Sequence, residues 1–303
     1  MKALVTGGTG FAGRHLVKEL KTSGYEVTST SLHESDLEDT EIIRTNLSER
    51  VSVNKINLKS YDVIFHLAGL AAVGPSFDEP TRYLRSNSEI QVNLFEACIS
   101  QAASPKFIII SSANIYCADE LPLKESSEII PTSPYAVSKI TQEYLGQYYG
   151  TRGFEVIIAR AFNHMGPGQL EGFIVADFAK QIADAEKSGR GTVKTGNLKA
   201  RRDYTDVRDI VRGYRLLAEK GRTGEVYNVC SGRAISGEDI LKGLLKNSKA
   251  DIKMRTDKKL FRPVDRLEVY GSNQKICNDT GWQPRIPLEQ TLIETLDYWR
   301  EKL

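Results

Sequence analysis

Short apolar runs alternate along this chain with longer stretches whose apolar residues recur every three or four positions. "KALVT", "YEVTSTS", "YDVIFHLAG", "KFIIISS" and "EVIIARAFN" are brief and rich in β-branched residues. Runs of that length and composition predict strands, and the most apolar of them predict strands buried on both faces. Between them lie "GFAGRHLVKELKTSG", "EIQVNLFEACISQA" and "YAVSKITQEYLGQYYGTRG", which have helical period. The first of these ends in Gly24, a stop signal. Strands alternating with helices in this way predict an α/β fold built on a doubly wound parallel sheet.

After about residue 163 the pattern changes. "HMGPGQLEGFIVADFAKQIADAEKSGRGTV" reads as a glycine-rich loop followed by a helix, and "GEVYNVCSG" as a strand that returns to the first unit. "RTDKKLFRPVDRLEVYGSNQK" is polar and carries arginines, and "PLEQTLIETLDYWREKL" is an amphipathic helix. Nothing between the halves reads as a linker. The expected organisation is a dinucleotide-binding unit over residues 1–163, to which 205–232 return, with a smaller interwoven unit over 164–204 and 233–303.

Composition narrows the function. A net charge of +2 over 303 residues is no nucleic-acid footprint. No apolar run approaches the length a membrane helix needs. The four cysteines, Cys98, Cys117, Cys230 and Cys277, lie far apart with no metal-ligand spacing. That predicts reduced thiols in a cytoplasmic protein, and no metal.

"VTGGTGFAGRHL" places Gly7, Gly10 and Gly13 directly after a strand and at the start of a helix. Such a loop makes the tight turn, lets backbone approach a diphosphate, and packs the helix on the sheet, while the helix N-terminus offers free N–H groups. The sheet is therefore expected to be of Rossmann type with a bound dinucleotide. Phe11, Ala12 and Arg14 open the helix and join the candidate cofactor residues. An NAD site normally closes its second strand with an acid that bonds the ribose hydroxyls. Ser31 stands there, with His33 close behind. A serine does not repel a 2′-phosphate, and Arg14 is a candidate to reach one, so NADP(H) is favoured and NAD(H) stays open. No arginine directly follows the second strand. Asn57, with Leu58, is expected after the third strand, its amide oxygen facing the adenine amine.

Tyr135 and Lys139 are one helical turn apart and share a face. An ammonium near a phenol favours the phenolate, so the expectation is a phenol acidified from about 10 towards neutrality. Such a group exchanges a proton with an alcohol or ketone. Ser112, at the end of the fifth strand, can hold the same oxygen.

Together with "HLAG", "SSANIY", "RAFNHMGPGQ", "RRDYTDVRDIV", "YNVCSG", "RPVDR" and "TGWQPRIPLEQTL", these stretches resemble the extended short-chain dehydrogenase/reductase family, in its sugar-nucleotide branch. The resemblance spans nearly the whole chain. It implies that Ser112, Tyr135 and Lys139 are the catalytic triad and that Lys139 also holds the nicotinamide ribose. It further implies that Leu67, Ala68, Gly69 and Phe162 contact the cofactor, and that Asn87 lies near the active-site strands. Gly69 stands where alanine is commoner, and Cys117 where many relatives carry glycine. Asn163, Arg202, Arg262 and Asp265 match positions that hold the nucleotide sugar. The helices of "EIQVNLFEACISQA" and "YAVSKITQEYLGQYYG" match those that pair two subunits, implying a homodimer.

Dehydratases and decarboxylases of this branch resemble the chain but carry a glutamate two residues after the catalytic serine or threonine. Here Ala113 and Asn114 follow Ser112, and neither transfers protons. Glu120, Glu125 and Glu128 lie further along the loop, with nothing aiming them at the site. The expected reaction is therefore reduction of the C4 ketone of a nucleotide-linked 4-keto-6-deoxy sugar. The resemblance favours a GDP sugar, GDP-4-keto-6-deoxy-D-mannose giving GDP-D-rhamnose. A 4-epimerase that retains NAD is the second reading. A 4,6-dehydratase and a non-catalytic nucleotide-sensing module stand behind it.

Overall fold

The computed structural model describes residues 1–34, 37, 39–260 and 266–303. Its first half alternates strands and helices: β1 (Lys2–Thr6), α1 (Phe11–Thr22), β2 (Glu26–Ser31), β3 (Glu41–Arg44), α2 (Arg50–Val53), β4 (Val63–His66), α3 (Pro80–Gln101), β5 (Lys106–Ser112), α4 (Pro134–Thr151) and β6 (Val156–Ala161). The second half contributes β7 (Asn163–Met165), α5 (Ile174–Ser188), β8 (Arg190–Thr195), β9 (Arg201–Asp206), α6 (Val207–Lys220), β10 (Val226–Val229), β11 (Ala234–Ser236), α7 (Gly237–Leu245), β12 (Asp251–Thr256), β13 (Glu268–Val269), α8 (Gln274–Thr280) and α9 (Leu288–Lys302).

Seven parallel strands form the central sheet in the order β10-β6-β5-β4-β1-β2-β3. This is the doubly wound α/β architecture that the alternation of runs predicts. One face buries Leu16, Val17 and Leu20 of α1 against Ile210, Tyr214 and Leu217 of α6. The other packs Leu94, Phe95 and Cys98 of α3 on the sheet, with the Phe95 ring between Phe107 (4.0 Å) and Tyr149 (4.2 Å). A separate core joins α5, α7 and α9 through Phe178, Ile182, Leu241, Leu244, Leu296 and Trp299. Beside it lie a sheet of β11-β9-β13, with β7 on β9, and the pair β12-β8.

Local signals explain the site-bearing elements. The α1 helix begins after Gly10 and ends before Gly24, whose φ of 82° suits a residue without Cβ. The α4 helix starts with Pro134 in its first turn, and the Ser133 hydroxyl accepts from the Ala136 amide (3.1 Å). The α3 helix starts at Pro80, well before its apolar period shows, because its first turns bury polar residues such as Asn87 rather than an apolar stripe. Among the described residues no helix is long and apolar enough to cross a membrane.

Candidate active site

In a parallel sheet all carboxyl ends lie along one edge, and ligands bind outside that edge. Here that edge carries the Gly7–Gly13 loop, Leu67–Gly69, Ser112 and Phe162. The Gly10 amide donates to Gly7 O (3.0 Å) and the Arg14 amide to Gly10 O (2.9 Å), so the loop runs directly into α1. Among the described residues no side chain caps this helix. A Cβ on Gly13 would stand 2.2 Å from Gly7 O. Only glycine fits there, and the uncapped N–H groups point at the space in front of the loop. Those features fit a dinucleotide diphosphate. Phe11 stacks on the His164 imidazole (centroids 5.9 Å, interplanar 7°), which fixes the first turn of α1 against β7.

The loop after β4 is tied down from two sides. The Ala68 amide donates to Thr6 Oγ1 (3.1 Å). Asn87 Oδ1 accepts from the Leu70 amide (2.8 Å), while its Nδ2 donates to Leu70 O (3.2 Å) and Ser138 Oγ (2.9 Å). Gly69 has a φ of 149°, and a Cβ there would lie 2.6 Å from Asn87 Oδ1. Glycine instead of alanine at this position is thus required by the close approach of Asn87.

Ser31 stands at the same edge, its Oγ 3.1 Å from Thr9 Oγ1 of the phosphate loop. Arg14 turns its Nε to Thr9 O (2.9 Å). The placement of Asn57 and Leu58 needs correction. The third strand is Glu41–Arg44, and Asn46 and Leu47 follow it. Asn57 and Leu58 instead precede β4, at the amino ends of the strands, and the Leu58 amide donates to Gln101 at the end of α3. They are on the edge opposite the phosphate loop. The pair Asn-Leu occurs twice in this stretch, and only strand register tells the two apart.

Ser112, Tyr135 and Lys139 come together where β5 ends and α4 begins, and all three are buried. Ser112 Oγ accepts from the Asn114 backbone amide and from Asn114 Nδ2, each at 3.2 Å. Asn114 therefore fills the place of a dehydratase glutamate and uses it to orient the serine. The Lys139 ammonium donates to Ile110 O (2.8 Å) and Gln142 Oε1 (2.9 Å). The Gln142 amide in turn faces His66 Nε2 (3.2 Å) and Asn87 O (3.0 Å). Sequence reasoning passed over Gln142, because one glutamine on a helix carries no signal until its neighbours are known.

The electrostatics differ from the expectation. Burial lowers the Lys139 ammonium to about 8, with Glu143 opposing the shift. Burial raises the Tyr135 phenol above its ordinary value; the Ser112 hydroxyl pulls the other way, and Tyr83 adds to the rise. The Lys139 nitrogen lies 6.0 Å from the Tyr135 ring centroid, tied to other partners. The phenol of the free chain is thus kept protonated by desolvation rather than acidified by the ammonium. Burial and the Lys139 charge lower His66 to about 3, so its imidazole stays neutral.

On the second unit, Asn163 pairs in register with Tyr204, and Arg202 lies two positions along β9 from it. Asn163 and Arg202 therefore share a face of that sheet. Arg201 is held by Glu268 (2.8 Å) and Ala234 O. Asp203, Asp206 and Asp209 make structural contacts: to the Ser231 and Gly232 amides, as cap of α6, and to the Arg285 and Ile286 amides. Arg262 and Asp265 lie outside the described residues. Glu125 accepts from the Asn228 amide, and Glu143 pairs with Arg160 (2.7 Å). Cys117, Asp119 and Glu128 gather with ligand atoms within 4.8 Å of one another. A hydrogen bond to Asp119 raises the Cys117 thiol, which keeps it protonated.

A glycine cradle at the carboxyl edge of a doubly wound sheet, with a serine, a tyrosine and a lysine converging beside it, defines an extended short-chain dehydrogenase/reductase. The family described as GDP-mannose 4,6-dehydratase matches residues 4–295. GDP-6-deoxy-D-mannose reductase of Pseudomonas aeruginosa is 31% identical over 307 residues, spanning 100% of this chain and 98% of the relative. RMD from Pseudomonas aeruginosa, solved in complex with NADPH, superposes with a TM-score of 0.89 at 31% identity, covering 100% of this chain and 99% of that one. UDP-glucose 4-epimerase from Thermotoga maritima, solved with UDP-glucose, superposes at 0.88 with 28% identity, covering 100% and 99%. The chain belongs to the GDP-mannose 4,6-dehydratase family, in the sugar-nucleotide branch of the extended short-chain dehydrogenases/reductases, and is an NAD(P)-dependent oxidoreductase.

Proposed function

We propose that this protein reduces the C4 ketone of GDP-4-keto-6-deoxy-D-mannose to give GDP-D-rhamnose, using NADPH in preference to NADH. The observation that carries this reading is Asn114. It occupies the position of a dehydratase carboxylate and donates to Ser112 Oγ at 3.2 Å from both its backbone and its side chain. A site without that acid can still reduce a ketone.

A bound reduced nicotinamide supplies the hydride. Ser112, its lone pairs engaged by Asn114, donates its own O–H to the C4 oxygen. Tyr135 Oη gives that oxygen its proton, a role suited to a phenol that burial keeps protonated. Lys139 stabilises the phenolate left behind, at a position set by Ile110 O and Gln142. Gly7, Gly10, Phe11, Ala12 and Gly13 hold the diphosphate. Leu67, Ala68, Gly69 and Phe162 line the route to the nicotinamide, and Ser31 faces the adenosine ribose. Asn163 and Arg202 bind the sugar diphosphate, joined by Arg262 and Asp265.

Residues 1–163 with 205–232 form the dinucleotide unit, and 164–204 with 233–303 the nucleotide-sugar unit, although Ile276 and Trp282 of the latter pack into the core of the central sheet. The return of β10 to the central sheet supports this division. Two subunits pair through α3 and α4, in the cytoplasm. Val137, Tyr144 and Tyr148 of α4 and Leu84 of α3 are exposed apolar positions that support it.

The test is purified protein with GDP-4-keto-6-deoxy-D-mannose and NADPH. Stoichiometric loss of the reduced cofactor with formation of a GDP-6-deoxyhexose is expected. Interconversion of UDP-glucose and UDP-galactose without added cofactor would favour the epimerase reading instead.

A further inference from the structure

The cation for a 2′-phosphate is ordinarily sought just after the second strand, where Ser31, Leu32 and His33 stand here. The fold brings one from elsewhere. β2 and β3 run parallel with Ser31 opposite Arg44, and the Thr45 amide donates to Ser31 O (2.8 Å), extending the pairing past the strand ends. Partners directly opposite in a parallel pair project to the same side of the sheet. The Arg44 and Ser31 side chains therefore leave the same face of the sheet at its carboxyl edge. Ser31 also touches Thr9 in the phosphate loop, so this is the ribose end of the dinucleotide track.

Arg44 lines a cleft of about 430 Å³ with Leu32, Thr45, Asn46 and Lys55. Lys55 brings a second cation for a phosphate, and Leu32, Ile43 and Ile56 an apolar wall for an adenine ring. The Arg44 side chain is 67% exposed, and its contact with Glu34 is 3.6 Å, too long for a hydrogen bond. An exposed pair of this kind holds the guanidinium weakly. A phosphate offers it a bidentate partner with greater charge.

The geometry points to Arg44 as the residue that binds the 2′-phosphate and sets the preference for NADPH over NADH, with Ser31 as a second donor. This rests on the reading of the Gly7–Gly13 loop as a dinucleotide site. Glu34 opposes it, because its carboxylate competes with the phosphate for the same guanidinium.

The test is calorimetric titration of wild type, Arg44→Ala, Arg44→Lys and Glu34→Gln with NADPH, NADH and 2′,5′-ADP. Because Arg44 is exposed, the variants are expected to fold, and circular dichroism checks this. Arg44→Ala should weaken NADPH and 2′,5′-ADP by about 10–100-fold, the worth of one charged hydrogen-bond pair, while NADH stays within about threefold of wild type. Arg44→Lys should recover part of the loss, and Glu34→Gln should tighten NADPH. Equal losses for NADPH and NADH, or no loss for either, would overturn the assignment. A wild-type protein that binds neither dinucleotide would instead refute the loop reading on which it rests.

Discussion

Replacing Tyr135 by phenylalanine removes one oxygen and tests the proposed chemistry directly. The phenol is the proton donor to the C4 oxygen, and among the described residues neither Lys139 nor Asn114 can stand in for it. Lys139 Nζ is 6.0 Å from the ring centroid and committed to Ile110 O and Gln142. Asn114 is an amide and is bonded to Ser112. Loss of a positioned general acid costs about 10²–10⁴ in rate. Ser112 remains to hold the oxygen, so the expected fall in kcat is about 10³, equivalent to roughly 4 kcal/mol in the barrier. Dinucleotide affinity should hardly change, because the phosphate loop and its helix are untouched. Stability should fall by about 1–3 kcal/mol at most, since the variant keeps the buried ring but leaves the Ser112 hydroxyl without its phenol partner. The assay follows the absorbance of the reduced nicotinamide, with calorimetry for binding and thermal melting for the fold. A kcat within about tenfold of wild type, in a folded variant that binds NADPH normally, would mean that Tyr135 is not the acid.

Three further outcomes follow from the site and the helices around it. Lys139 carries its charge below about pH 8 and loses it above, so kcat/KM for the reduced dinucleotide, which reports the free enzyme, should fall as pH rises through that value. Lys139→Arg should lack this limb, and a wild-type profile flat through pH 8 would contradict the role. Gly69→Ala forces a Cβ to 2.6 Å from Asn87 Oδ1 at a φ of 149°; a cost of about 1–3 kcal/mol is expected, and an unchanged melting temperature would refute the packing argument. Tyr144→Glu combined with Tyr148→Glu places charge on the exposed stripe of α4 and should convert a dimer to a monomer in sedimentation; a dimer that persists would move the interface elsewhere.

The central sheet was legible because its signals are local. Short β-branched runs specify strands, and the spacing of Gly7, Gly10 and Gly13 places the phosphate loop within one turn of its strand and helix. Tyr135 and Lys139 share a face through the pitch of a single helix, so their pairing could be read without any contact. Asn114 following Ser112 is equally local, and its hydrogen bonds to the serine bear out that closeness.

What escaped the sequence depends on pairings between distant segments or on burial. The placement of Asn57 failed because two Asn-Leu pairs lie close together and only the register of β3 shows which one reaches the carboxyl edge. Arg44 acquires meaning only beside Ser31, a neighbour assigned by strand pairing. Gln142 matters because α3, α4 and β4 bring Asn87, Lys139 and His66 around it. The Tyr135 phenol reverses its expected shift because desolvation outweighs the Ser112 hydrogen bond, while the Lys139 ammonium is tied to Ile110 O and Gln142. Local periodicity is written in adjacent residues and can be read from them. Register and dielectric belong to the packed molecule, since they depend on which distant groups exclude water from one another.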